Sequence, residues 1–321
     1  MVAFRVLREG DPSERSRDNI GFYEMQKGSC EIVEGLKLLQ RIGPDGIYES
    51  VNGEDPRLIS VKNRSYISFN SMDPSVSALR FISMGEVRKE GKNMILTNLT
   101  RFNASHFPGA RHQKNWAPFA FNHDVLLWTY SVLPHRVVAL ESPGCWTITD
   151  ANSDAYNSYG SRVRVVAETN IVGNVWPFGP MRGGTPPVKL NESTYIGIFH
   201  SSSATLCDRG NGMMTYSMGA YLFNSRPPFA ITAISRRPIV GSGEGFYNTT
   251  WVHRGTNFVV FPGSIHVSDD VITVFYGHQD RESWVARLNR TRLLSSMVHV
   301  QSTVSFHNTS YFEHLESASP C

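Results

Sequence analysis

The sequence has little charge, no long apolar run and no basic block. Charged residues make up 18% of the 321 residues while hydrophobic residues make up 40%, so long disordered stretches are not expected. No apolar run approaches the ~20 residues that a membrane-spanning helix needs, and we predict no membrane span. The net charge is only +3 and no Lys/Arg-rich stripe is present, so a nucleic-acid partner is not expected.

Cysteine is scarce and forms no paired motif. The absence of C-x-x-C spacing disfavours a zinc knuckle, and H-E-x-x-H and D-x-D patterns are absent too. We therefore predict no metal site and no cofactor. In a secretory protein four cysteines could form two disulfides in any of three connectivities, and free thiols are an equal alternative. The four are Cys30, Cys145, Cys207 and Cys321.

Acceptor triplets for N-glycosylation are more frequent than the roughly three expected by chance. The excess indicates a protein of the secretory pathway, in the Golgi lumen or secreted, whose targeting segment is absent from this sequence. Because residues 1–6 are too short and too charged for a secretory signal, a cytoplasmic protein with a Ser-rich composition is the alternative. The triplets begin at Asn63, Asn98, Asn103, Asn191, Asn248, Asn289 and Asn308.

Short runs rich in β-branched and aromatic residues recur along the whole chain, bounded by Gly, Pro, Asn and Asp. Helical periodicity is weak, and its best candidate is Glu31–Leu39, where Ile32, Leu36 and Leu39 have helical spacing. Many short strands indicate a sandwich, a barrel or a propeller. At this length, without a linker-like stretch, a propeller accommodates them best. The strand runs are 66–69, 125–130, 163–166, 195–199, 220–223, 258–261 and 271–276.

The first candidate motif is Glu54-Asp55-Pro56-Arg57, which precedes a hydrophobic run. Pro56 moves Asp55 out of the α region. Two acids and an arginine therefore lie together at the start of a strand. An arginine beside an acid tunes its protonation and can bind an anion. The alternative is a turn with a surface ion pair.

The second candidate combines Lys114-Asn115 with His135-Arg136, on either side of a strand. A hairpin between them would bring their ends together, so that Lys114, His135 and Arg136 line one cationic pocket. Such a pocket suits phosphate or an acidic sugar. The alternative is that the neighbouring aromatic residues are core and the charges are solvated.

Two further candidates follow later strands. Arg182 and Thr185 flank paired glycines, which allow close backbone approach to a ligand, and the next strand ends in His200. A lone histidine of this kind is more often structural than catalytic. Tyr276 and Asp280 cluster after a strand, and aromatic rings beside carboxylates are usual in sugar sites; the alternative is a well-packed turn.

The order of these motifs resembles glycoside hydrolase family 130 and its relatives in glycosyltransferase family 108. The resemblance runs from about Asn52 to Arg287 and rests on short motifs in a fixed order. It includes Glu-Asp-Pro-Arg, a Lys-Asn segment, Gly-Gly-Thr-Pro-Pro, and Val-Val-Phe-Pro-Gly before Tyr-Gly. The resemblance implies a five-bladed β-propeller that acts on β-mannosides. We therefore expect one propeller domain over 1–321, with long decorating loops and a motif-bearing core at about 50–290.

The resemblance also implies roles for individual residues. Asp55 matches the proton donor, with Glu54 beside it. Arg57, Lys114 and either His135 or Arg136 match the cationic residues that hold phosphate, and Arg182 is a further candidate. Tyr276 and Asp280 would face the same centre. The other candidates for substrate binding, taken from the motifs themselves, are Asn115, Thr185 and His200.

The segment Lys114–Phe119 departs from the family pattern of Lys-Asp followed by Phe-Pro, where phosphate or acceptor would bind. The departure argues against phosphorolysis, and a transferase of a secretory compartment fits the acceptor triplets better. We thus expect an inverting glycosyltransferase that takes a phosphorylated or nucleotide sugar and a glycan acceptor. A β-mannoside phosphorylase or hydrolase is the alternative, and a non-catalytic glycan-binding propeller is the alternative of another class.

Overall fold

The computed structural model shows a chain built almost entirely from β-strands, which confirms the predicted all-β class. Its described part contains twenty-three strands and two short helices. Neither of these helices has the length or the apolar character that crossing a membrane requires. The structure describes residues 2–6, 19–25, 32–43, 45–73, 76–103, 107, 113–122, 125–141, 161–206, 212–241, 258–280 and 282–317.

The chain divides into two compact units, each with its own apolar core. The first unit contains residues 1–127, 139–164 and 317–321, and the second contains residues 128–138 and 165–316. The four cysteines lie outside the described residues. A single domain over 1–321 stays a prediction.

The first four strands form antiparallel pairs, and the third of them replaces the predicted helix. The residues read as one helical face lie on a strand, where Ile32 and Leu36 are 55% and 47% exposed and only Leu39 is buried. Pairing with strands on both sides therefore outweighs a weak helical spacing, and the helix prediction is wrong. The strands are β1 (Val2–Val6), β2 (Asn19–Met25), β3 (Ile32–Ile42) and β4 (Tyr48–Ser50).

The next four strands form an antiparallel meander that carries the first candidate motif. Lys62 and Asn63 make its first turn with φ values of 49° and 61°, the conformation that a two-residue hairpin favours. Alternate side chains such as Ile67 and Phe69 are buried in the core of the first unit, as expected for a strand with one face inward. The strands are β5 (Glu54–Val61), β6 (Arg64–Asp73), β7 (Val76–Glu90) and β8 (Asn93–Asn103).

Four more strands follow in the spatial order of the sequence. Trp116, which precedes the first of them, and Trp128 within the second are both fully buried. Burial of these large rings fixes the positions of the polar residues that flank the strands, including Lys114 and His135. The strands are β9 (Ala117–Phe121), β10 (Val125–Ser131), β11 (His135–Leu140) and β12 (Ser161–Ile171).

The second unit contains a long antiparallel ladder in which glycines face aromatic rings. Gly197 lies opposite Tyr221, and Gly219 lies opposite Phe199. Each ring fills the space that its glycine leaves, so the ladder is packed without side-chain clashes. Six strands of this sheet follow one another in the sequence, and residues 297–299 add a seventh beside the fifth of them. The six are β13 (Met181–Arg182), β14 (Val188–Asn191), β15 (Thr194–Leu206), β16 (Gly212–Asn224), β17 (Ile231–Ser235) and β18 (Val240–Gly241).

A three-stranded meander, two capped helices and two further short strands complete the described chain. The first helix begins where the Asn289 side chain accepts a hydrogen bond from the Arg292 N–H, and Asn308 receives one from Tyr311 N–H in the second. Such caps satisfy N–H groups that have no partner inside the helix. The elements are β19 (Val260–Val267), β20 (Val271–His278), β21 (Glu282–Asn289), α1 (Arg290–Ser296), β22 (Met297–His299), β23 (Ser302–His307) and α2 (Thr309–Ser317).

Candidate functional site

Strand β5 begins with a β-bulge at Asp55 and Pro56, where the pairing register with β6 shifts. Glu54 pairs with Asn70 and Arg57 pairs with Ser68, so two residues of β5 oppose one residue of β6. Asp55 has a φ of 51°, in the left-handed region that non-glycine residues seldom adopt. Such bulges and strained residues concentrate at functional sites.

The Asp55 carboxylate is held by an amide from the neighbouring strand. Asn70 Nδ2 donates to Asp55 Oδ2 at 2.9 Å, and Asn70 itself is buried while Asp55 is half-buried. The backbone oxygen of Asp55 accepts from Arg57 Nη1 at 2.9 Å. The carboxylate is therefore oriented by Asn70, and the Asp55 residue is partly exposed to solvent.

Arg57 is a buried cation beneath this bulge. Its side chain is among the largest fully buried ones of the described chain. Burial lowers its pKa from the usual value, and the charge of Asp55 acts in the opposite direction. Since arginine stays protonated in proteins, Arg57 supplies a fixed positive charge below Asp55.

Glu54 lies between two further cations. Its Oε2 is 2.5 Å from Arg80 Nη1 and 3.5 Å from Lys114 Nζ. The Gln113 N–H donates to the Arg80 carbonyl at 3.1 Å, and Gln113 also accepts from Trp116 Nε1 at 3.1 Å. These bonds tie the segment that carries Lys114 to strand β7.

We call this group the Asp55 cluster. It joins two carboxylates to three cations, so it carries an excess of positive charge that favours binding of an anion such as phosphate. Asn115, the residue after Lys114, has a φ of 65°. The cluster consists of Glu54, Asp55, Arg57, Asn70, Arg80 and Lys114.

His135 and Arg136 lie in the second unit and are both engaged. His135 Nδ1 is 2.8 Å from the Phe229 carbonyl oxygen, and its ring lies 4.9 Å from that of Phe223. Burial lowers the pKa of His135 to about 4, against a smaller raising effect of the Phe229 hydrogen bond, so the imidazole is neutral near pH 7. Arg136 Nε lies 2.5 Å from Glu168 Oε2.

Arg182, Thr185 and His200 are brought together by strand pairing. Arg182 is exposed and lies opposite His200 across β13 and β15. Thr185 is fully buried; its N–H donates to the Ile198 carbonyl and its hydroxyl accepts from the Ile198 N–H. A Cβ at Gly184 would lie 2.3 Å from Ile198 O, so this glycine permits close approach of a strand rather than of a ligand.

His200 is buried among aromatic rings. It stacks on Tyr216 at 6.1 Å and lies 4.9 Å from Phe261. Tyr276 is buried in the core of the second unit, whereas Asp280 is exposed in the turn after β20 with a φ of 54°. Of these, Asp280 is the one that solvent reaches freely.

The predicted residues thus fall into both units. Glu54, Asp55, Arg57 and Lys114 come together in the first, and the expectation of one shared pocket with the residues of the second stays a prediction. Sequence reasoning missed Asn70 and Arg80, which reach the motif from strands β6 and β7. No local signal marks either residue, because only sheet pairing brings them to Asp55 and Glu54. No group of His, Cys, Asp and Glu in the described ranges is arranged to hold a metal ion.

The solved structures to which the chain is similar include carbohydrate-active enzymes. A GDP-Man-dependent mannosyltransferase from Leishmania mexicana shares 12% identity with a TM-score of 0.48, over 94% of this chain and 84% of the other. The β-1,2-mannobiose phosphorylase from Listeria innocua shares 15% with a TM-score of 0.47, over 87% and 69%. The mannose phosphorylase MPT-4 from Leishmania mexicana shares 10% with a TM-score of 0.42, over 95% and 86%.

The order of motifs predicted a resemblance to this class of enzymes, and these solved structures belong to that class. No protein-family model and no curated protein matches the chain.

Proposed function

We propose that the chain is a carbohydrate-active enzyme of the glycosyltransferase type, acting on β-mannoside-like substrates, with Asp55 as its proton-transfer residue. The observation that carries the proposal is the Asp55 carboxylate, oriented by Asn70 Nδ2 at 2.9 Å on a strained bulge. It lies directly beside Glu54 and its two cations. A carboxylate next to a surplus of positive charge suits proton transfer at a sugar oxygen near a phosphate group.

In the transfer direction an acceptor hydroxyl attacks the anomeric carbon of a sugar phosphate or nucleotide sugar. The new C–O bond forms on the face opposite the leaving group, so the configuration inverts. Asp55 takes the proton of the attacking hydroxyl, and inorganic phosphate or the nucleoside diphosphate leaves with the electron pair of the broken C–O bond. Arg80 and Lys114 would stabilise the negative charge that develops on this phosphate.

Phosphorolysis by a β-mannoside phosphorylase is the second candidate, because with a sugar 1-phosphate it is the same reaction in reverse. Inorganic phosphate attacks the anomeric carbon, and protonated Asp55 gives its proton to the departing glycosidic oxygen. The same cations would hold the phosphate. Inverting hydrolysis needs a second carboxylate as base, and the pairing of Glu54 with Arg80 and Lys114 makes it poorly suited to that task.

Three incubations separate the reactions: GDP-mannose with a mannose acceptor, mannose 1-phosphate with the same acceptor, and β-1,2-mannobiose with or without inorganic phosphate. Asp55→Asn should abolish turnover and keep the melting temperature within a few degrees, since asparagine also tolerates positive φ. Asp269→Asn, an exposed acid before β20, is the matched control and should be fully active. Full activity of Asp55→Asn would contradict the proposal, and glycan binding without any turnover would support a non-catalytic propeller.

We further propose that the strands form a five-bladed propeller. Five consecutive groups of strands support this count: β1–β4, β5–β8, β9–β12, β13–β18 and β19–β21. Parallel pairing of β8 with β3 and with β12 joins the first three groups into one sheet. Four of the groups contain at least the four strands of a typical propeller blade, and β19–β21 contains three. An experimental structure with fewer than five such sheets around one axis would contradict it.

A further inference from the structure

A large aromatic side chain is exposed at the end of the hairpin formed by β20 and β21. Trp284 is 40% exposed, although most tryptophan surface is usually buried. Across the hairpin Tyr276 lies opposite Trp284, and His278 lies opposite Glu282. These four side chains share one face of the sheet, since every second residue of a strand points the same way. We call His278, Glu282 and Trp284 the Trp284 platform.

The indole of Trp284 is held in one orientation. Its Nε1 donates to Glu282 Oε2 at 2.7 Å, and its ring lies 4.6 Å from the His278 ring at an interplanar angle of 32°. His278 Nδ1 is 3.6 Å from the same carboxylate oxygen. A ring that is already fixed loses little conformational entropy when a ligand stacks on it.

The hairpin end itself is anchored. The Gln279 N–H donates to the Val259 carbonyl at 2.8 Å, and the Val259 N–H donates to Gln279 Oε1 at 3.2 Å. Gln279 and Asp280 both have positive φ, which turns the chain tightly and leaves the Asp280 carboxylate exposed. The turn adds a second acidic group to the same hairpin end.

We propose that the Trp284 platform binds one pyranose residue of a glycan. The exposed indole face stacks on the apolar face of the sugar, and the Glu282 carboxylate accepts hydrogen bonds from its hydroxyls. A pyranose presents an apolar face and a ring of hydroxyls together, which matches an aromatic plane edged by a carboxylate. Glu282 can serve both the indole and a sugar because a carboxylate has about four acceptor positions. The inference takes the class of ligand from the proposed function and requires no catalytic step.

Calorimetric titration of the Asp55→Asn protein with β-1,2-mannobiose, β-1,4-mannobiose and methyl β-mannoside tests the platform without turnover. Adding Trp284→Ala should weaken binding of at least one sugar by about tenfold or more, whereas Trp284→Phe should keep part of the affinity. Phe306→Ala is the matched control, because Phe306 is a similarly exposed aromatic at 46% on β23. It should bind as its parent does.

Hydroxyl-radical footprinting locates the effect, since bound sugar should reduce oxidation of Trp284. Unchanged affinity of Trp284→Ala overturns the platform, as does failure of all three sugars to bind the parent protein. The turnover assays give a separate result. If Asp55→Asn is active and Trp284→Ala loses sugar binding, the proposed catalytic role is refuted and the platform is supported. If Asp55→Asn is inactive and Trp284→Ala binds sugar normally, the platform is refuted and the catalytic role is supported.

Discussion

At the scale of single residues, Asp55 combines a carboxylate with a backbone conformation that most side chains avoid. Its φ of 51° lies in the left-handed region, where a Cβ costs about 1 kcal/mol. Pro56 follows it and constrains the same peptide. The sequence predicted that Asp55 leaves the α region, but the positive φ comes from the bulge against β6, which sequence alone does not show.

The positive φ of Asp55 predicts that a glycine variant is more stable than an alanine variant at this position, the reverse of the usual order within a strand. Asp55→Gly and Asp55→Ala both lose the hydrogen bond from Asn70, but only alanine keeps a Cβ at positive φ. We expect the glycine variant to be more stable by about 1 kcal/mol in urea unfolding. At Ser60, an exposed position of the same strand without positive φ, alanine should be the more stable of the two. Equal stability of the Asp55 pair would show that the bulge carries no strain.

His135 is a second residue whose environment has a measurable consequence. Its imidazole is buried and its pKa is about 4 instead of 6.5, so the folded chain binds this proton less readily than the unfolded chain. The contribution of His135 to the free energy of unfolding should therefore be fully present above about pH 6.5. It should be lost as the pH drops towards 4, by on the order of 3 kcal/mol.

The replacement His135→Gln should remove this part of the pH dependence. The measurement is the free energy of unfolding in urea at a series of pH values. His299→Gln, at an exposed histidine of β22, should leave the dependence unchanged. An identical pH profile in His135→Gln would mean that other groups cause the acid loss.

At the scale of elements, strands were predictable where β-branched and aromatic residues are dense. The runs 66–69, 125–130, 195–199 and 271–276 all lie within strands. The segment Glu31–Leu39 was misread because its apolar spacing is helical, whereas pairing with β2 and β8 decides its structure. The sequence did not reveal Asn70 and Arg80 for a similar reason, because the pairing register that brings them to Asp55 and Glu54 depends on the tertiary fold.

The ladder of β15 and β16 predicts a steric effect at Gly219. A Cβ there would lie 2.4 Å from Phe199 Cζ and 2.8 Å from Trp176 Cη2. Because both rings are buried, Gly219→Ala should destabilise the protein by about 2 kcal/mol in urea unfolding. Gly263→Ala in β19 is the control, since its nearest atom would be 3.8 Å away. Equal unfolding midpoints for the two variants would contradict this packing.

At the scale of the whole molecule, the order of motifs carried more information than any single motif. Read alone, the segment Glu54-Asp55-Pro56-Arg57 suggested a turn with a surface ion pair. In the structure, Asn70 donates a hydrogen bond to the Asp55 carboxylate, and Lys114 lies beside the neighbouring Glu54. His135 shows the opposite outcome, because a residue expected among the cations is buried and neutral. Residue type shows which groups can be charged, and burial keeps the His135 imidazole neutral although the Arg57 guanidinium stays protonated.

The acceptor triplets lead to a proposal about the compartment of the chain, the secretory pathway. Asn63 lies exposed in the turn between β5 and β6, and Asn191 and Asn289 are exposed at strand ends. Asn98 differs, because its Nδ2 donates to the buried carboxylate of Glu86 at 3.3 Å. Attachment of a glycan to that nitrogen would compete with this bond.

We therefore expect glycans at Asn63, Asn191 and Asn289 in protein isolated from its native cells, and none at Asn98. Mass spectrometry before and after treatment with peptide-N-glycosidase measures the occupancy of each position. Asn63→Gln should remove the mass of one glycan, while Asn122→Gln, at an exposed turn asparagine outside any triplet, should remove none. If all these positions are bare in the native protein, the secretory proposal fails and a cytoplasmic enzyme remains, with the role of Asp55 unaffected because its contacts involve none of these asparagines.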